Sequence, residues 1–249
     1  MAGNLDDDGF DQFRAFVAGE QKLKNSILTT ARTALGKLSD PDIAELTSSE
    51  TLHFESLRTE KTALFIMIEE SETEYYAFIL TILYTQLFGF CLKMPEKGKK
   101  YLPIFFLMDE FANSGKIPGF ETLITVLRRR KVSLSLIVQS LSQLESIYGK
   151  TASETIIGNC ASQIYYSGLP LEDCERLERI LGKTTLLHEE RNTNRFETGN
   201  IKELGRSLMT AQEIRIMRDM AIFVYSNLLP IKITPHPWYK SLKLRNRTR

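Results

Sequence analysis

An uninterrupted apolar run, Pro103–Met108, stops at two adjacent acids, Asp109 and Glu110, within the stretch LPIFFLMDEFAN. Taking a carboxylate out of water without a partner is costly, so two acids at the end of a buried strand need a reason to be there. In open α/β sheets, ligands bind just beyond the carboxyl ends of the strands. This is the pattern of a Walker B motif. Asp109 would hold Mg²⁺ through water, and Glu110 would polarise the water that attacks a nucleotide γ-phosphate. A strand that simply ends at a solvated acidic turn would be written in the same letters.

The next apolar run, in SLSLIVQS, ends in Gln139 and Ser140, so an amide arrives at the same sheet edge. Gln139 would serve as a sensor, hydrogen-bonded to the γ-phosphate or the attacking water; capping of the following helix is the other use for it. Between the two runs lie Arg128, Arg129, Arg130 and Lys131, at the end of a helix expected over 118–130. Cations are favoured at a helix C-terminus by its dipole and need no further role there. An arginine at this place could also reach a neighbouring subunit's phosphate as a finger.

A nucleotide site also needs a phosphate cradle, GxxxxGK[ST]. Of the Gly-Lys pairs, only Gly149-Lys150-Thr151 and Gly182-Lys183-Thr184 continue with a hydroxyl, and Leu144 and Leu177 stand where the first glycine should be. Neither pair follows a strand, so a wrap of backbone N–H groups cannot form there. The 249 residues therefore carry the second half of a nucleotide site without the first.

The elements that must position these groups read as an alternation. Strand-like runs lie at 62–68, 103–108, 132–138, 163–166 and 221–225, with helical stretches at 73–93, 118–130, 140–148, 151–158, 171–182 and 210–218. Unbroken apolar runs, rather than alternating ones, predict strands buried on both faces of a mostly parallel sheet flanked by helices. Thr210 with Glu213 forms a capping box for the last helix. Residues 10–50 contain no strand-like run and read as helices at 10–19, 20–36 and 40–46, with a turn at Ser39-Asp40-Pro41. Residues 183–206 are polar and aperiodic, a long excursion that could hold a small hairpin. Tyr75–Leu92 is uncharged over eighteen residues, with Lys93, Lys97, Lys99 and Lys100 just beyond it, which reaches the lower limit for a membrane span. Thr81, Thr85, Gln86 and Gly89 inside it, and strand-like runs on both sides, favour a helix buried in a core.

Composition narrows the classes. With 43 % hydrophobic and 25 % charged residues, the chain is globular, not collagen-like, low-complexity or disordered. A net charge of +1 exerts no global pull on nucleic acid, so any polyanion site must be a local patch. Cys91, Cys160 and Cys174 form no CxxC pair, and the histidines are 53, 188 and 236, which argues against a zinc framework and for a reducing compartment. The acidic start, MAGNLDDDGFDQF, has no apolar region of a signal peptide.

The stretch 109–160 closely resembles the TraG-like conjugative coupling proteins of type IV secretion. The carrying motifs are DEFAN-x-GKIP-x-F, QS-x-SQL and ETIIGNC, followed more weakly by LERILGK at 177–183, LMTAQEIRIM at 208–217 and PHPWY at 235–239. The resemblance implies a hexameric, RecA-like DNA translocase at the cytoplasmic face of the bacterial plasma membrane. It would use ATP and Mg²⁺ to feed relaxase-bound single-stranded DNA, or protein substrates, to the secretion channel. Asp109 and Glu110 carry over as the Walker B residues and Gln139 as the sensor. The arginine finger has several registers in RRRK; Arg130 is favoured and Arg128 comes second. In that family the P-loop lies upstream, after transmembrane helices, and an all-helical domain is inserted into the nucleotide-binding domain. Residues 1–58 then correspond to the end of the inserted helical domain and 59–249 to the C-terminal part of the RecA-like core. Without membrane anchor and Walker A, the chain is expected to be a soluble portion that is inactive alone. A degenerate, non-catalytic binding or scaffolding module of a conjugation apparatus is the alternative, and a span at 75–92 is a third reading.

Overall fold

The computed structural model describes residues 7–49, 52–93, 101–189 and 201–247. The chain divides into two compact units, Met1–His53 and Phe54–Arg249. The first is helical, as the absence of strand-like runs predicts: α1 (Asp7–Ala18), α2 (Gln21–Gly36) and α3 (Pro41–Thr47). The turn before α3 follows from local chemistry. Pro41 occupies the first helical position, and Asp40 accepts from the N–H groups of Asp42 at 3.0 Å and Ile43 at 3.3 Å.

The second unit begins with the short helix α4 (Ser56–Thr59) and the long apolar helix α5 (Thr73–Leu92). Leu80, Tyr84, Leu87, Phe88 and Cys91 recur at helical spacing on α5 and are buried. By length and composition α5 could also cross a membrane; 28 % of its apolar stretch is buried, and Leu80, Tyr84, Phe88 and Cys91 join the main core. Strand β1 (Ile104–Met108) follows, then α6 (Phe120–Leu127), then β2 (Val132–Leu136), which pairs parallel with β1, Ile104 opposite Val132 and Met108 opposite Leu136. Arg58 on α4 fastens the entry to this pair. Its guanidinium donates to the carbonyls of Leu102 at 3.0 Å and Cys91 at 3.5 Å and lies 4.9 Å from the Tyr101 ring centroid.

Helices α7 (Leu141–Tyr148) and α8 (Lys150–Asn159) complete the layer over this pair. The main core joins α5, β1, β2 and α6–α8 through an aromatic cluster: Phe88 sits 4.8 Å from Phe106 and 5.7 Å from Phe120, and Phe111 4.8 Å from Phe120.

The remainder comprises β3 (Ser162–Tyr166), α9 (Leu171–Leu181), β4 (Lys183–Glu189), β5 (Ile201–Ser207), α10 (Ala211–Arg215), β6 (Ala221–Tyr225), β7 (Ile231–Ile233) and α11 (Leu242–Arg245). A second core of Tyr165, Cys174, Leu177, Ile214, Met217 and Ile222 joins α9 and α10 to β3 and β6. The capping box of Thr210 and Glu213 forms as predicted at the start of α10. β4 and β5 pair as an antiparallel hairpin within the polar excursion; residues 190–200 lie outside the described residues.

The class is α/β, with a parallel pair at its centre and an N-terminal helical region. Three element-level expectations are corrected. Residues 62–68 form no strand: the segment finds no ladder partner among the described residues, and Phe65 and Met67 stay 80 % and 88 % exposed. Strands 163–166 and 221–225 do occur, but they pair antiparallel with each other, and β7 then adds antiparallel to β6. β1 was expected to be covered on both faces; one face packs on the core, while Phe105 and Leu107 point outward, 75 % and 74 % exposed.

Because Phe88 is fully buried where α5, β1 and α6 meet, Phe88→Ala should lower unfolding free energy by about 3–5 kcal/mol in urea titration. A loss below about 1 kcal/mol would mean that the core does not close around this ring.

Candidate functional site

The β1–β2 ladder does not stop where the strands do. Beyond their last paired residues, the Ile137 N–H donates to the Met108 carbonyl at 3.0 Å, and the Phe111 N–H to the Ile137 carbonyl at 2.9 Å. Asp109–Glu110 and Gln139 therefore leave the sheet side by side at its carboxyl edge. The Gln139 amide Nε2 lies 3.4 Å from Glu110 Oε1.

Local packing sets the aim of Glu110. Phe111 is fully buried, stacked 5.7 Å from Tyr148, so the chain must turn sharply after β1 to place it. That turn forces Glu110 into the left-handed region, φ 47° and ψ 48°, which costs a non-glycine residue about 1–2 kcal/mol. A 3-10 turn over Phe111–Ser114 follows, and it brings Asn113 back over Glu110, with Asn113 Nδ2 donating to Glu110 Oε2 at 2.7 Å. Asp109 is exposed, and its Oδ1 accepts the Glu110 N–H at 3.1 Å.

On the neighbouring strand, the helix cap is made by Ser140, not by Gln139. Ser140 Oγ accepts the Gln143 N–H at 3.3 Å, and the buried carboxylate of Asp173, on α9, accepts the Leu141 N–H at 3.2 Å. Burial raises the Asp173 pKa above the usual aspartate value, opposed by that N–H bond. Gln139 is left to face Glu110, while its own Oε1 accepts from Gln143 Nε2 at 3.4 Å. The spacings 110/113 and 139/143 were visible in the sequence; that Asn113 and Gln143 fold back onto the key side chains was not read from them.

The arginines lie elsewhere. Arg128–Arg130 form a 3-10 turn before β2, and the Lys131 carbonyl accepts the Ile104 N–H at 3.0 Å, which fixes that turn at the amino edge of the pair. Five strand residues at ~3.3 Å each separate it from the carboxylates, so neither Arg130 nor Arg128 joins Glu110 within one chain. Arg130 is half-buried, and its Nε has no hydrogen-bond partner.

No three His, Cys, Asp or Glu side chains converge as a metal cage among the described residues. Two acids at a strand end nevertheless suit Mg²⁺, which takes one or two carboxylates and completes its octahedron with water and phosphate oxygens.

Fold and site together define an α/β protein in which two carboxylates and an amide gather at the carboxyl edge of a parallel strand pair. The chain belongs to the type IV secretory system conjugative DNA transfer family, whose family model matches residues 1–248. It is similar to the protein VirD4 of Rhizobium rhizogenes, 24 % identical over 232 residues, covering 88 % of this chain and 34 % of that protein. The conjugal transfer protein TraG of Escherichia coli is 25 % identical over 199 residues, covering 76 % of this chain and 31 % of TraG. The chain thus spans about a third of the length of these curated relatives. Among solved structures, the unbound conjugative coupling protein TrwB superposes with a TM-score of 0.70 at 19 % identity, over 88 % of this chain and 51 % of that one. TrwB in complex with ADP and Mg²⁺ gives 0.69 at 18 % identity, over 88 % of this chain and 50 % of that one.

Tyr148 supports the loop that carries the site, because its buried hydroxyl accepts the Ile117 N–H at 3.2 Å. Burial pushes its pKa from 10.0 up to about 12. The neutral phenol's contribution is therefore complete below pH 10 and is lost as pH rises toward about 12. Tyr148→Phe should cost about 1–3 kcal/mol at neutral pH by orphaning the Ile117 N–H, and should flatten the alkaline decline in melting temperature. An unchanged alkaline decline would exclude Tyr148 as its source.

Proposed function

We propose that this chain is the hydrolytic half of an ATP-driven coupling protein that delivers relaxase-bound single-stranded DNA, or protein substrates, to a type IV secretion channel. The observation that carries the reading is the meeting of Glu110 and Gln139 at the carboxyl edge of two adjacent parallel strands. Asp109, exposed and beside them, would hold Mg²⁺. Bound Mg²⁺ would neutralise charge on the phosphates. Glu110 Oε1 would polarise the attacking water, and the Gln139 amide would orient it. TrwB, which shares the fold, has been crystallised with ADP and Mg²⁺, which supports this choice of ligand.

The role of Arg130, with Arg128 second, is that of a finger acting on a neighbouring subunit, since its place at the amino edge keeps it from its own carboxylates. This requires assembly of the protein, expected as a hexamer at the cytoplasmic face of the plasma membrane. We assign residues 1–58 to the end of a substrate-receiving helical domain and 59–249 to the core; the observed units, Met1–His53 and Phe54–Arg249, divide a few residues earlier. The exposed apolar residues Phe65, Met67, Phe105 and Leu107 support a larger sheet in the intact protein.

In the intact protein, Glu110→Gln should retain Mg-ATP binding and lose turnover by two orders of magnitude or more, on the order expected for general-base groups. Near-normal phosphate release would sink the assignment. This chain alone should neither bind Mg-ATP tightly nor hydrolyse it, because a P-loop's charge-assisted hydrogen bonds, at ~1.5–3 kcal/mol each, are missing from its sequence. That missing cradle also favours the second reading, a non-catalytic scaffolding module. An intact protein with Glu110 but no turnover in any assembly would establish the second reading.

Arg130→Ala should reduce hydrolysis in assembled protein only. An equal loss in a monomeric preparation would show that the arginine supports its own subunit's fold.

A further inference from the structure

We propose that Asn113 is a positioning residue for Glu110, gripping one carboxylate oxygen so that the other stays turned toward Gln139. The inference rests on Glu110 as the water-polarising group. The two oxygens of Glu110 are held unequally. Asn113 Nδ2 donates to Oε2 at 2.7 Å, a short charge-assisted bond, whereas Gln139 Nε2 stands 3.4 Å from Oε1, long for such a bond. If Oε1 and the Gln139 amide move apart by about 2 Å, a water molecule can bridge them while the strong bond keeps its grip.

The backbone builds the grip. Left-handed Glu110 leads into the 3-10 turn, the Asn113 N–H donates to the Glu110 carbonyl at 2.7 Å, and the turn thereby sets the Asn113 side chain over the carboxylate. Without that bond, a glutamate on a flexible stem at an exposed strand end would sample several rotamers. Gln143 does the matching work on the other strand. Its amide occupies Gln139 Oε1, so the Nε2 end of Gln139 is the one presented to Glu110. The water thus meets an acceptor on one side and a donor on the other.

The discriminating substitution is Asn113→Leu, which keeps the approximate size and removes the donor without adding a charge; Asn113 is exposed, so the fold should tolerate it. In the intact protein, kcat should fall about ten-fold or more while the nucleotide Kd and KM stay unchanged. Unchanged kcat, with Glu110→Gln inactive alongside it, would overturn the positioning role and leave the role of Glu110 standing. Turnover retained in Glu110→Gln would overturn both. A readout without nucleotide uses this chain itself. The Asn113 side-chain NH₂ resonances should lie displaced from those of a free amide and return there in Glu110→Ala. Free-amide positions in the unsubstituted chain would refute the grip.

Discussion

The site depends on one constraint, the parallel ladder between β1 and β2 and its continuation past the ends of both strands. Two further backbone bonds, at 3.0 and 2.9 Å, carry the pairing from Met108 through Ile137 to Phe111. They hold the segments bearing Glu110 and Gln139 together, and the long side-chain contact between the two, at 3.4 Å, adds little to that. The 3.4 Å approach of the two side chains thus follows from backbone geometry and is long for a hydrogen bond.

The packing beneath explains why this edge keeps its shape. Phe111 is fully buried between Phe120 and Tyr148, and it is reached only through a left-handed residue at position 110. Burying such a ring gains more than the ~1–2 kcal/mol that the left-handed turn costs. The left-handed conformation of Glu110 is therefore held by the core. On the partner strand, Ser140 and Asp173 satisfy the first N–H groups of α7, so Gln139 is not needed as its cap and meets Glu110 and Gln143 instead.

Much of this was legible in the residues. The apolar run ending in Asp109–Glu110, the second run ending in Gln139, the capping box at Thr210 and the helical start of the chain all express rules that act within a few residues. What escaped were consequences of distant partners. The run at 62–68 has every property of a strand except a neighbour among the described residues to complete its ladder. β3 and β6 pair antiparallel over a core shared with α9 and α10, a long-range meeting that no local pattern announces. Asn113 and Gln143 were passed over because a polar residue three or four positions on is ordinary in any turn or helix.

The placement of the arginines was decidable in principle. A right-handed crossover between parallel strands must carry the chain from the carboxyl edge of the first strand back to the amino edge of the second. Residues at the end of the crossover helix then lie a strand's length from residues at the start of the crossover, however near they stand in sequence. Arg128–Arg130 close the helical segment after α6, and Asp109–Glu110 open the connection. The same topology that brings Gln139 to Glu110 removes Arg130 from it. A positive charge acting on phosphate at this carboxyl edge would accordingly have to come from an element other than the end of this crossover.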